Sequence, residues 1–360
     1  MKTGRALLVV GLLAAGGFIA WAALQPPVPV APPPSIPGAP KTPVAPAAAG
    51  QAFTDPAQCR ACHPEAYEEW SVSMHARAWT DPEVRSLSDD FKSTECLSCH
   101  VPQPIHSAPV GGRVFERSSR FESGVDCLSC HLLPGGGVAA VRDIPGAPCR
   151  PTKVDTLRDA VTCKGCHNQH YMVDEWETLF RNPAPDKGAV LTKGRPETCV
   201  DCHMKPSPRR AGPDGKEAKG FDHVIRGGHY LEILQGGMGL TAAVENGAVV
   251  ARVSSIGVGH KAPADSRHRS FNVWITITTE AGVKVRDRAE AAEYRMYYRS
   301  PPRENTNLRP GETGVSKFPL PAGLKGKVLV ELVYCMNLMK KERREARTVH
   351  SVELEFDTTK

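Results

Sequence analysis

Hydrophobic and polar positions divide the 360-residue chain into stretches of different pattern. Ala6 to Leu24 is an uncharged, largely apolar run of nineteen residues behind Lys2 and Arg5. A basic start followed by an apolar run is the pattern of an export signal, and this run nearly matches the length of a membrane span. Ala20-Trp21-Ala22 offers an imperfect small-x-small cleavage site, so residues 1–24 read equally as a cleaved signal peptide and as a retained anchor. Ten prolines between Pro26 and Pro46, interleaved with Ala and Val, make residues 25–50 a linker. Such a stretch packs no core and favours extended polyproline geometry, about 3.1 Å per residue. From about Leu240 the period becomes that of strands. Gly247–Ser254, Phe271–Thr278, Val283–Arg286, Tyr294–Arg299, Gly314–Phe318, Lys327–Cys335 and Ser351–Phe356 alternate, with turn signals at Glu245-Asn246-Gly247 and Glu280-Ala281-Gly282. Short strands between Gly/Pro-rich turns predict a seven-strand antiparallel β-sandwich of immunoglobulin-like type over residues 237–360.

Residues 51–236 carry the candidate chemistry. Five times the chain spells Cys-x-x-Cys-His: Cys59 and Cys62 with His63, Cys96 and Cys99 with His100, Cys127 and Cys130 with His131, Cys163 and Cys166 with His167, and Cys199 and Cys202 with His203. Two cysteines three apart can each form a thioether to one haem, and the following histidine then lies under the iron as proximal ligand. Zinc ribbons also use Cys-x-x-Cys, but they pair two motifs across about 15–20 residues and require no histidine next in line. Here successive motifs start 31 to 37 residues apart and the histidine never fails. The pattern predicts five covalently bound haem c groups. That density leaves room only for short helices and loops wrapped on the cofactors. The predicted class is therefore α+β and multidomain, a helical and loop pentahaem domain followed by the sandwich. Motifs two and three share Cys-Leu-Ser-Cys-His, while motifs one and four are each followed by an acidic-Trp step, Glu69-Trp70 and Glu175-Trp176. Both steps predict short helices, with Trp70, Trp79 and Trp176 packing on haem edges.

Composition and charge alter this picture little. The low aromatic content of 6 % and the 32 Gly and 32 Pro fit an interior filled by haem. The formal charge of +6 falls to +4 without Lys2 and Arg5, and two propionates per haem would cancel or reverse it. Net charge therefore gives no argument for a nucleic-acid partner. The basic runs Lys205 to Lys219 and Lys340 to Arg347 read as solvated loops.

Cys59-Arg60-Ala61-Cys62-His63-Pro64, Trp70, Ser73-Met74-His75-Ala76, Gly124-Val125-Asp126-Cys127, Thr198-Cys199 through His203-Met204 and Gly227-Gly228-His229 carry a family likeness. In these residues the chain resembles the multihaem cytochrome superfamily of hydroxylamine oxidoreductase and the tetrahaem electron-transfer cytochrome of ammonia oxidisers. Gly259-His260-Lys261-x-Pro263 is similar to members with a C-terminal sandwich. The family's nitrite-reducing branch places Lys in one pentad and its oxidoreductase holds three more haems; this sequence has neither feature. The resemblance implies a site outside the cytoplasm and no particular catalysis.

A second axial imidazole closes a haem to substrate and suits it to passing electrons. His75 lies in the motif that supplies a distal ligand in the resembled family. His223, His229 and His260 are the other expected distal ligands, His229 and His260 following glycines that permit close backbone approach. His106, His170, Met172 and Met204 are weaker candidates, and His268 and His350 read as exposed side chains. Cys149 and Cys335 are left over and, in an oxidising compartment, predict a disulfide. The expected function is electron transfer between a membrane-side donor and a periplasmic or extracellular acceptor, with redox proteins (quinol-side or periplasmic cytochromes) as partners and membrane association through residues 6–24 if these are retained. The alternative is reduction of a small nitrogen or sulfur oxyanion at one five-coordinate haem, with Arg226, Lys261 and Arg267 as anion donors. The electron carrier is the preferred reading and requires no catalytic residue.

Overall fold

Two antiparallel sheets share one apolar core at the C-terminal end of the chain. The computed structural model describes residues 53–169, 171–181, 198–211, 216–264, 268–297, 304–336 and 346–359. The signal or anchor segment 1–24 and the linker 25–50 lie outside them. Among the described residues no helix is long and apolar enough to cross a membrane.

The strands in chain order are β1 (Val138–Ala140), β2 (Pro151–Lys153), β3 (Pro206–Ala211), β4 (Lys216–Phe221), β5 (Met238–Glu245), β6 (Ala248–Ser255), β7 (Ser270–Thr279), β8 (Lys284–Arg295), β9 (Thr313–Pro319), β10 (Lys325–Cys335) and β11 (Ala346–Asp357). The last seven form a three-stranded sheet ordered β5-β6-β9 and a four-stranded sheet ordered β11-β10-β7-β8. Inward-facing Val249, Ala251 and Val253 of the first meet Val273, Ile275, Ile277, Val328, Val330 and Leu332 of the second in one buried cluster. Alternation puts every second residue into this core, which is why the sequence pattern found it.

The seven expected strands do not correspond one to one. Lys284–Arg286 of one expected strand and Tyr294–Arg295 of the next belong to a single strand, β8, whose pairing with β7 slips at three places between Val273 and Thr278. Each irregularity interrupts the two-residue period, so one long strand reads as two short ones. β5 escaped because Thr241-Ala242-Ala243 offers little polar contrast.

The region before residue 237 is built from helices of three to eight residues, the parallel pair β1–β2 and the antiparallel hairpin β3–β4. Its buried apolar clusters are small: Ala57, Tyr67, Trp70 and Ala76 in one, Ala160, Val173, Trp176 and Phe180 in another. The basic run Lys205 to Lys219 is not simply a solvated loop. It contains the β3–β4 hairpin, and Arg209 within it is 8 % exposed. Of the run Lys340 to Arg347 only the last two residues are described, and Arg347 donates to the His229 carbonyl.

The expected disulfide does not form. Cys149 packs with Phe53 and Leu128, whereas Cys335 is buried beside Trp274 and Val333 on β10, and neither is disulfide-bonded. Each sits in its own apolar cluster, so the pairing geometry of a disulfide is not met.

Candidate haem-attachment site

Every pentad lies on or against a short helix. Motifs two to five occupy or end the helices Leu97–His100, Cys127–His131, Val161–His167 and Cys199–His203. Positions i, i+3 and i+4 share one helix face, so both thiols and the imidazole point the same way. In motif one the turn Ala57–Arg60 leads to His63, the N-cap of the helix Pro64–Ser71.

Local polar groups fix these helix starts. The Asp126 carboxylate accepts from the Ser129 backbone at 2.9 Å while Ser129 Oγ bonds back to Asp126 N at 3.2 Å, a reciprocal cap on motif three. Buried Arg117 donates to the carbonyls of Pro102, Ser119, Arg120 and Gly124 and lies 3.8 Å from Asp126. In motif five, Asp201 accepts from Thr198 N and Oγ1 and is paired to Arg158 at 3.0 Å.

The five motifs touch in a connected set. The sulfurs of Cys59 and Cys127 are neighbours, as are those of Cys99 and Cys166 and those of Cys163 and Cys199. Motif one thus adjoins motif three, motif two adjoins four, and four adjoins five. Cys163 also feels Cys130 electrostatically, which links motif three to motif four.

Three proximal imidazoles are faced by a second imidazole. Ring centres lie 5.9 Å apart for His75 and His167, 6.4 Å for His131 and His223, and 6.5 Å for His203 and His260. Two imidazoles on one metal, each at a metal–nitrogen distance of about 2 Å, place their ring centres roughly 6 Å apart. The spacing fits an iron between each pair. Among the described residues His63 and His100 make no ring contact with another imidazole; the His100 ring instead meets the edge of Phe91 at 5.4 Å.

Hydrogen bonds select the tautomer. Nδ1 of His100, His131, His203, His223 and His260 lies 2.5–2.9 Å from the carbonyls of Ala78, Ala139, Arg226, Phe221 and Lys261 respectively. A carbonyl accepts only, so Nδ1 carries the proton and Nε2 keeps its lone pair for a metal. Burial adds to this. It is the main cause that lowers His75 to about 3 and His223 to about 4, with the facing His167 and His131 next. Burial likewise lowers His63, His100, His131 and His203. Neutral imidazole is the form that coordinates a metal.

The elements that deliver the facing histidines are specific. His75 is held by a bond from Val125 N to its carbonyl at 2.8 Å, and Trp70 Nε1 binds the Val125 carbonyl at 2.8 Å. Gly124 has φ +57°, and a Cβ there would come within 2.4 Å of the His75 oxygen, so only glycine allows this approach. His223 follows β4, and Gly259, just before His260, lies against Trp176.

The other expected ligands stand apart from these pairs. His229 is half-buried, with Nε2 3.5 Å from Arg269 Nη2, and burial followed by the Arg269 charge lowers it to about 4. Among the described residues no ring contact joins it to a proximal histidine. His106 and His350 spend Nε2 on the carbonyls of Cys130 and Met238. His350 is half-buried rather than exposed, as is His268, and His170 lies outside the described residues. The suggested anion donors are engaged: Arg226 with Asp222 and Glu232, Lys261 with Glu175 at 2.8 Å; Arg267 is not described. Sequence reasoning missed Arg117, Asp126, Arg209 and the carboxylates of the Glu-Trp steps as supports. Only Asp126, three residues before Ser129 at a helix start, carried a readable capping signal.

Residues 58–132 match the family described as cytochrome c554 and c-prime. The chain also shares the fold of a penta-haem cytochrome c552 from Thermochromatium tepidum, with a TM-score of 0.57 at 18 % identity over 83 % of this chain and 97 % of that one. Together with the pentads, these likenesses support a multihaem c-type cytochrome. No curated protein matches the chain. Covalent haem c is thus the group that the cysteine pairs would hold, and it would supply reversible one-electron chemistry at iron.

Proposed function

We propose that the chain is an electron carrier with five covalently attached haems. The ten pentad cysteines form the thioethers, and His63, His100, His131, His167 and His203 are the proximal ligands. His75, His223 and His260 supply the sixth ligand to the irons of motifs four, three and five. The observation that carries this reading is the trio of imidazole pairs at iron-bridging distance within one connected set of motifs. Bis-imidazole irons have no position free for substrate, and adjoining haems pass electrons between them. His229 stands outside this set.

The contacts order the path: motif one, then three, then four, with motifs two and five both adjoining four. Residues 51–236 are the cytochrome part and 237–360 an immunoglobulin-like sandwich, the latter supported by its three-plus-four strand arrangement. An export signal or anchor at 1–24 and the linker 25–50 place the protein outside the cytoplasm. There it would connect a membrane-side donor, quinol-linked or a cytochrome, with a periplasmic or extracellular acceptor.

Low-temperature EPR of the oxidised holo-protein, with haem quantified, tests this. Five haems per chain with at least three low-spin bis-imidazole signals are expected. Fewer than five haems, or a mainly high-spin spectrum, would overturn it.

A further inference from the structure

The Glu-Trp steps after motifs one and four recur in the structure as one arrangement used twice. In the first, Glu69 binds the segment that carries His223. Its Oε2 accepts from His223 N at 2.8 Å, and both carboxylate oxygens pair with Arg209 at 2.5 Å. Arg209 Nε in turn donates to the Phe221 carbonyl at 3.1 Å, and Nη2 donates to it as well. That carbonyl is the one that accepts from His223 Nδ1. Glu69 therefore fixes the backbone of His223 directly and its ring through Arg209 and Phe221. In the second arrangement, Glu175 binds the segment that carries His260. Lys261 Nζ pairs with Glu175 Oε1 at 2.8 Å, and Lys261 N donates to Oε2 at 3.4 Å. The Lys261 carbonyl accepts from His260 Nδ1, and Gly259 lies on Trp176, the other half of the step.

We propose that Glu69 and Glu175 are positioning residues that set His223 and His260 as sixth ligands. This deepens the function proposed above and rests on it. The two carboxylates stand on the helices that follow proximal His63 and His167, so each ties the frame of one haem motif to the far ligand of another. Glu69 links motif one to the iron of motif three, and Glu175 links motif four to that of motif five. These are adjoining pairs in the thiol contacts. The steps thus hold neighbouring haem sites in fixed relation. The charges are well placed for it. Arg209 has only 9 % of its side chain exposed and Glu175 only 13 %, so neither is readily satisfied by water if its partner is lost.

The test uses full-length holo-protein and EPR of the oxidised state. His223→Met and His260→Met serve as references, each identifying the low-spin signal of one haem, about one fifth of the total if five are bound. Glu69→Gln, which keeps shape but cannot pair both oxygens with Arg209, is expected to shift or convert to high spin the signal that His223→Met alters, and no other. Glu175→Gln is expected to act only on the signal that His260→Met alters. Should Glu69→Gln fail to fold, Arg209→Lys keeps the charge but cannot bridge Glu69 and Phe221 together, and is expected to shift the same signal. Lys261→Arg, which retains the pairing, is expected to leave its signal in place. Parent spectra in Glu69→Gln, Glu175→Gln and Arg209→Lys, with the two methionine variants each altered, would overturn the positioning role. Unaltered spectra in the methionine variants would instead overturn the ligand assignment beneath it.

Discussion

The region before residue 237 and the sandwich after it are held together by different means. The sandwich buries most of its apolar side chains in one cluster running from Leu234 to Phe356, with Val253, Val273, Ile275, Ile277, Val328, Val330 and Leu332 fully excluded from solvent. The preceding region has more residues and four or fewer buried apolar side chains in any one of its clusters. Its order comes from caps, histidine-to-carbonyl bonds and buried ion pairs, each local and directional. Polar contacts contribute about 1 kcal/mol net apiece, while apolar burial accumulates with area. A polypeptide folded by the first means needs its interior completed by something else. Covalent haem does that, bringing apolar surface and fixed distances in one step.

The sharpest way to break this contrast is to make the chain without haem attachment. Amides of β6, β7 and β10 should then retain strong protection from hydrogen exchange, and those between residues 57 and 203 should exchange freely. Equal protection in the two regions would show that the haem part folds on polypeptide contacts alone. Next in size is Asp126→Ala in the holo-protein. It removes a helix cap and takes from buried Arg117 its paired carboxylate, and breaking a buried pair this way costs about 3–5 kcal/mol. Denaturant unfolding followed by haem absorbance reads it, and a loss below about 1 kcal/mol would contradict the role given to that pair. The smallest expected effect is that of Ile275→Val in the sandwich core, about 0.5–1.5 kcal/mol by thermal unfolding. Its haem spectrum should match the parent, and a changed spectrum would mean that the two regions are less separate than their cores indicate.

Legibility in the sequence follows the same division. The pentads could be read because their geometry is local: three positions on one helix face decide what they bind. The sandwich could be read because a two-residue period survives wherever one face is buried, and it was blurred where β8 slips against β7. His75, His223 and His260 could be singled out as candidates from their setting, but not paired with a particular pentad histidine. His229 has an equally inviting glycine pair before it, yet its Nε2 faces Arg269. Cys149 and Cys335 looked like partners because they were the two cysteines left over, and the fold packs them against different clusters.

By itself, then, the sequence determined the chemistry this chain can host: ten thiols and five adjoining imidazoles on short helices, with an alternating stretch bound to form sheets. Only the tertiary structure decided which histidine faces which. The paired rings are 92 residues apart in two cases and 57 in the third. No helical or strand period reaches across such distances. The pairing is set instead by where β4 and the strands after Gly259 bring their backbone, and by the carboxylates of Glu69 and Glu175 that hold it there.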